Sequence, residues 1–168
     1  MKPHDVVIVG AGIIGLSIAW QLARRSALRI AVIEKGAAVG EGSTGASSAI
    51  CRVRYSNDEM LQLARDGIQA YRHWGAFTRL GNPAADFHED GVLWMPGGDR
   101  DWADKERLRM QSFGVAAEVL DDDGVAERFP ALSTCTLAPD LETGEDHECV
   151  GGSRNLFEIE GGHVDPMA

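Results

Sequence analysis

Three glycines, Gly10, Gly12 and Gly15, stand between two short apolar runs, and this arrangement limits the possible folds more than any other feature of the chain. The first run, Asp5–Gly10, is β-branched at successive positions, as expected of a parallel strand buried on both faces. Ile13–Arg25 comes next, with apolar residues at 14, 16, 18, 19, 22 and 23, a helical pattern. Its closing Arg24 and Arg25 suit the negative end of a helix dipole. Arg29–Glu34 is a second buried strand. Together they make a βαβ unit, so the expected class is α/β.

The glycines carry a chemical reading. Gly10 permits a tight turn, Gly12 lets backbone amides approach a diphosphate with no Cβ between, and Gly15 lets the helix pack on the strand. With Ala11, Ile13 and Ile14 they aim the positive end of the helix at phosphates. Glu34 ends the second strand, 24 positions after Gly10. It can accept both hydroxyls of a ribose and would repel a 2′-phosphate. The expectation is a Rossmann-like FAD/NAD(P)-type dinucleotide site, with NADP disfavoured. A glycine-rich turn that binds nothing is the alternative.

Beyond Lys35 the chain departs from a simple NAD domain, which would repeat the strand–helix alternation. Residues 36–49 are Gly-, Ala- and Ser-rich, and offer Gly42, Ser43, Thr44, Ser47, Ser48 and Ala49 for close contact with a ligand. Such a loop suits an extended FAD; a surface linker is the alternative. Ser56 and Glu59 form a capping box ahead of a helix with apolar residues at 60, 61, 64, 68, 71 and 74. Residues 87–98 read as a hairpin about Asp90–Gly91, the start of an antiparallel sheet. A helix over Asp101–Phe113 closed by Gly114, a strand at 116–121 and a short helix stopped by Pro130 come next. Residues 133–163 show no regular pattern.

Composition excludes some partners. The net charge of −10, with no basic stripe, argues against nucleic acid. No apolar run is long enough to span a membrane. Cys51, Cys135 and Cys149 are scattered and odd in number, which points to a reducing, cytoplasmic setting. No metal site is expected: Glu145–Cys149 reads as a solvated acidic loop and Asp121–Gly124 as a helix-capping turn. His73 and Trp74 fit a helix face, and His88 and His163 have no evident catalytic partner.

The stretch "DVVIVGAGIIGLSIAWQLARR", followed by "RIAVIEK", resembles the FAD-binding start of the D-amino-acid oxidase, glycine oxidase and sarcosine oxidase family. The hydroxyl-rich loop and "ICRVRYSNDEMLQLARDGIQAYRHW" are similar to sarcosine-oxidase β-subunit-type members. "EDGVLWM" resembles their first substrate-domain hairpin, and "GGHVDP" the return towards the FAD domain. The resemblance implies FAD as cofactor and oxidation of a C–N bond beside a carboxylate, in a small amine or amino acid of the sarcosine, glycine or D-amino-acid kind. Carried over by position, Gly10, Ala11, Gly12, Ile13, Ile14, Gly15, Glu34 and Lys35 match the ADP-binding motif. Gly42, Ser43, Thr44, Ser47, Ser48 and Ala49 match the loop along the flavin.

Arg52 matches the arginine that pairs with the substrate carboxylate. Arg54 is its rival, expected on the opposite face of an extended segment, so that only one faces the flavin. Cys51 reads as a small buried residue. The implied division is 1–80 for FAD, 81–160 for the beginning of a substrate-binding α+β domain, and 161–168 for the return. Family members are much longer, so the chain is expected to be an N-terminal portion with an incomplete fold, inactive alone. Its uncovered sheet would invite a second chain. A catalytically silent dinucleotide-binding module and a non-functional truncation remain open alternatives.

Overall fold

The structure, a computed structural model, describes residues 3–81, 85–96, 101–134 and 152–165. The chain divides into two compact units, residues 1–48 and 49–168.

The first unit is the βαβ motif. β1 (Val6–Val9) leads into α1 (Ile13–Arg25) and returns as β2 (Ile30–Ile33), with the strands parallel and Val6 opposite Ile30, Val9 opposite Ile33. Asp5 clamps the entrance, its carboxylate accepting from the backbone amide, Nε and Nη2 of Arg29. The strands are not buried on both faces as their composition predicts: Val9 is 85% and Ile33 54% exposed. A two-stranded sheet with one helix covers only one of its faces. Among the described residues of this unit, only Ala11 is buried.

The second unit contains β3 (Ile50–Cys51), α2 (Asp58–Arg72), α3 (Trp74–Thr78), β4 (Asp86–His88) and β5 (Val92–Trp94). It continues with α4 (Trp102–Ser112), β6 (Ala117–Leu120), α5 (Asp122–Arg128), β7 (Asn155–Glu158) and β8 (Gly162–Asp165). The strands form two antiparallel three-stranded sheets, ordered β3-β8-β4 and β5-β7-β6. Residues 49–80, grouped above with the cofactor-binding part, fall in this unit because β3 pairs with β8.

The hairpin expected at 87–98 does not form within the described residues: β4 and β5 belong to different sheets and do not pair. Both strands pair instead with the region read as irregular, β4 with β8 and β5 with β7. They make one bent ribbon, Phe87 opposite Val164 before the corner and Leu93 opposite Phe157 after it. Residues 89–91 face 159–162 there, so one strand carries an extra residue, a bulge that turns the ribbon from one sheet into the other. Gly91 sits at φ +81° and donates its N–H to the Gly161 carbonyl at 2.9 Å. A Cβ on Gly162 would overlap the His88 carbonyl.

α2 is capped one residue later than the Ser56–Glu59 pattern predicts. Asn57 Oδ1 accepts the Met60 N–H at 3.0 Å, so Asn57 is the N-cap. The helix ends at Arg72, and Trp74 begins α3. Leu61 and Ile68 of α2 join Val53, Ala103, Met110, Val115, Ala117 and Leu156 in the core. Burying a large apolar side chain contributes about 1.5–3 kcal/mol, so these few residues hold the α2, α4 and β7 layers together. Among the described residues, no helix is long and apolar enough to cross a membrane.

Candidate functional site

The shape of the β1–α1 turn is dictated by its glycines. Gly10 donates to the Ile33 carbonyl at 2.7 Å, which carries the ladder one step past the strand, and then turns at φ +103°. A side chain on Gly15 would run into the Gly10 carbonyl. Gly12, the N-cap of α1, has no side chain to occupy the first amides of the helix. A Cβ there would come 3.0 Å from Thr44 Oγ1.

Two polar groups converge on this turn. The Glu34 carboxylate accepts the Ala11 N–H at 2.7 Å and the Gly36 N–H at 3.0 Å. Those bonds, the Ala11 amide first, hold its pKa below the ordinary carboxylate value, so it is anionic at neutral pH. Thr44 Oγ1 accepts the Ile13 N–H at 3.1 Å. The small-residue loop is therefore ordered: Gly40 donates to the Ala11 carbonyl at 3.0 Å, Gly45 to Gly40 at 2.7 Å and Ala46 to Gly42 at 3.2 Å.

Gly10, Ala11, Gly12, Ile13, Gly15, Glu34 and Thr44 are thus gathered at one place, with Gly42 inside the folded loop. Ile14, Lys35, Ser43, Ser47 and Ser48 are exposed. Ala49 lies in the second unit, at φ 55°, and its carbonyl accepts the Val164 N–H at 3.1 Å. The cradle that a Cβ on Gly12 would fill, the positive helix end and the anionic Glu34 together fit the phosphates and ribose of a dinucleotide.

Arg52 and Arg54 are arranged differently from expectation. They do not diverge; both guanidinium groups lie over the Trp94 ring, at 5.0 and 4.8 Å from its centre. Residues two apart on an extended chain share a face, and that periodicity prevails here. Arg52 also lies 4.7 Å from the Tyr55 ring, and Arg54 4.8 Å from that of Trp102. Arg54 pairs with Glu106 at 3.2 Å. Arg109 braces the segment, reaching Asp58, Glu106 and the Tyr55 carbonyl. Arg52 is exposed, and among the described residues no carboxylate pairs with it. A planar fork stacked on aromatic faces is suited to a carboxylate.

Sequence reasoning missed Glu158. It sits fully buried on β7 and accepts the Val53 and Arg54 amides and the Trp94 indole N–H, the last two at 3.1 and 3.2 Å. Burial pushes its pKa up, opposed by those donors and by Arg52. Its one signal was an acid inside an apolar "LFEI" run. Cys51 is half-buried, and burial raises its thiol pKa. An open cavity of about 560 Å³ beside α2, α3 and β4, lined by Tyr71, Trp74 and Phe87, contains none of the predicted site residues. Glu145–Cys149 lies outside the described residues.

The profile of the family described as FAD dependent oxidoreductase (DAO) matches residues 5–168. The bifunctional tRNA 5-methylaminomethyl-2-thiouridine biosynthesis protein MnmC of Ralstonia nicotianae is 33% identical over 134 residues, 76% of this chain and 20% of that protein. The sarcosine oxidase subunit beta of Rhizobium meliloti is 30% identical over 139 residues, 78% of this chain and 32% of that one. A solved glycine oxidase from Geobacillus kaustophilus shares the fold with a TM-score of 0.71 at 20% identity, over 96% of this chain and 40% of its own. The chain therefore spans about a fifth to a third of the length of these curated relatives.

Proposed function

Because the chain belongs to the family of FAD-dependent oxidoreductases, we propose that residues 1–80 serve FAD and that residues 81–160 begin the binding site for an amine or amino-acid substrate, with 161–168 leading back. The observation that carries this reading is the β1–α1 turn, where side-chain-free Gly12 and anionic Glu34 meet. The amides opening α1 hold the diphosphate and Glu34 accepts the ribose hydroxyls. Lys35, Ser43, Ser47 and Ser48 extend the polar lining, and Thr44 exchanges its hold on Ile13 for the ligand. Bound FAD supplies the electron-pair acceptor for oxidation of a C–N bond. Arg52 fixes the substrate carboxylate by a bidentate pair, so that the amine-bearing carbon is the end presented for oxidation.

The relatives named for sarcosine and glycine suggest a small amino or N-methylamino acid as substrate. The same reading includes a reducing, cytoplasmic setting and a second chain against the exposed strands of the first unit. Support for that chain is the exposure of Val7, Val9 and Ile33. Thermal unfolding with FAD and with NAD tests the cofactor. FAD at a hundredfold excess over Kd should stabilise the chain by about 2.7 kcal/mol and leave a yellow protein after gel filtration. A catalytically silent nucleotide module would instead respond more to NAD, and a chain that ignores both would end the proposal.

A further inference from the structure

We propose that Glu158 is the positioning residue for Arg52, holding its guanidinium fork in the geometry that accepts a substrate carboxylate. This rests on the role given to Arg52 above. A carboxylate is rarely buried completely on a core strand, here as the last residue of β7, since an apolar side chain of similar size suits such a position better unless the carboxylate has a task. Glu158 is completely buried on β7, between Val92 of β5 and Ala117 of β6. Both neighbouring ladders fix its backbone, so its carboxylate has little freedom to wander.

Its donors are informative because of where they lie. Two are the amides of Val53 and Arg54, the residues immediately after Arg52. The third is the indole N–H of Trp94, the ring on which Arg52 lies. One carboxylate therefore sets both the path of the chain carrying the fork and the tilt of the surface beneath it. Arg54 shares that ring but is engaged by Glu106 at 3.2 Å, which leaves Arg52 as the exposed fork of the pair. There is no slack beside the carboxylate either: a Cβ on Gly161 would come 3.0 Å from Glu158 Oε1. Glutamine cannot substitute cleanly, because its amide nitrogen would face an N–H donor where a second carboxylate oxygen now accepts.

The test uses the full chain and two probes of nearly equal shape, N-methylglycine and its carboxamide, which keeps the ammonium group and lacks only the carboxylate charge. Binding of each is followed by calorimetry, and the Trp94 indole N–H by ¹⁵N NMR. Wild type should prefer the acid, and Arg52→Ala should abolish that preference. Glu158→Gln should lower the acid-over-amide preference about tenfold and shift the Trp94 resonance. Glu158→Asp, which restores a carboxylate, should recover part of it. Should Glu158→Gln fail to fold, Trp94→Phe keeps a smaller aromatic face under Arg52 and removes the indole donor, and should weaken the preference by a smaller factor.

Folded Glu158 and Trp94 variants that retain the wild-type preference, or that lose affinity for acid and amide equally, would overturn the positioning role alone. A wild type that does not distinguish the probes, or an Arg52→Ala variant that still does, would overturn the carboxylate role of Arg52 and this proposal with it.

Discussion

Glu34 is committed although it is not buried: the amides of Ala11 and Gly36 keep its carboxylate ionised at the mouth of the glycine turn. Replacing it by alanine should weaken FAD and NAD to a similar degree, by about tenfold or more, since one charged hydrogen bond is worth roughly 1.5–3 kcal/mol. Calorimetric titration of the two nucleotides checks this. Arg52→Ala should leave FAD affinity unchanged and remove recognition of the substrate carboxylate, as separate titrations of cofactor and N-methylglycine would report. Asp122 is a further committed acid, bonded by Ser153 and by the amide of Gly152, which depress its pKa strongly. A depressed folded pKa means stabilisation that is complete above the ordinary aspartate value and lost as pH falls through the folded one. Asp122→Asn should therefore flatten the acid limb of the stability–pH curve, measured by denaturant unfolding from neutral to strongly acidic pH.

Elements with local signals were legible. α1 occupies Ile13–Arg25 as its apolar spacing and terminal arginines predict, because the glycines before it leave no other entry. Thr44 and Glu34, both expected to face a ligand, do converge on that turn, through bonds 31 and 23 residues apart in sequence. The illegible parts depend on partners remote in sequence. β7 shows no alternation because it is buried throughout and carries two polar residues, Asn155 and Glu158, inside the core. Gly91 does take a positive φ, yet Asp90–Gly91 closes no hairpin, because what the flanking strands pair with depended on residues 155–165, about which local pattern is silent. Glu158 was invisible for the same reason, since its three donors all lie 64 or more residues away. At α2 a one-position error is testable: Asn57→Ala should cost about 1 kcal/mol and Ser56→Ala far less, by thermal or urea unfolding. Leu61→Ala, on the same helix but fully buried, should cost about 2–5 kcal/mol.

The whole molecule is two units of unequal solidity. The first buries only Ala11 among its described residues, while the second has a shared core of helices and both antiparallel sheets. A ligand for the glycine turn should therefore act locally. Adding FAD should slow amide hydrogen exchange at residues 10–16 and 40–46 far more than at α4 or β6, as mass spectrometry of peptic fragments would resolve.

The bent ribbon also sets a timetable. β7 and β8 are the middle strands of their sheets, so β3, β4, β5 and β6 are all made before the strands they must pair with. During synthesis, residues 50–120 wait with open edges, and neither sheet can zip until 155–165 leave the ribosome. The βαβ motif, whose strands are neighbours in sequence, has no such wait. Its strands can pair while the sheets of the second unit are still unmatched, and completing both of those sheets depends on one eleven-residue segment about the Gly161–Gly162 corner.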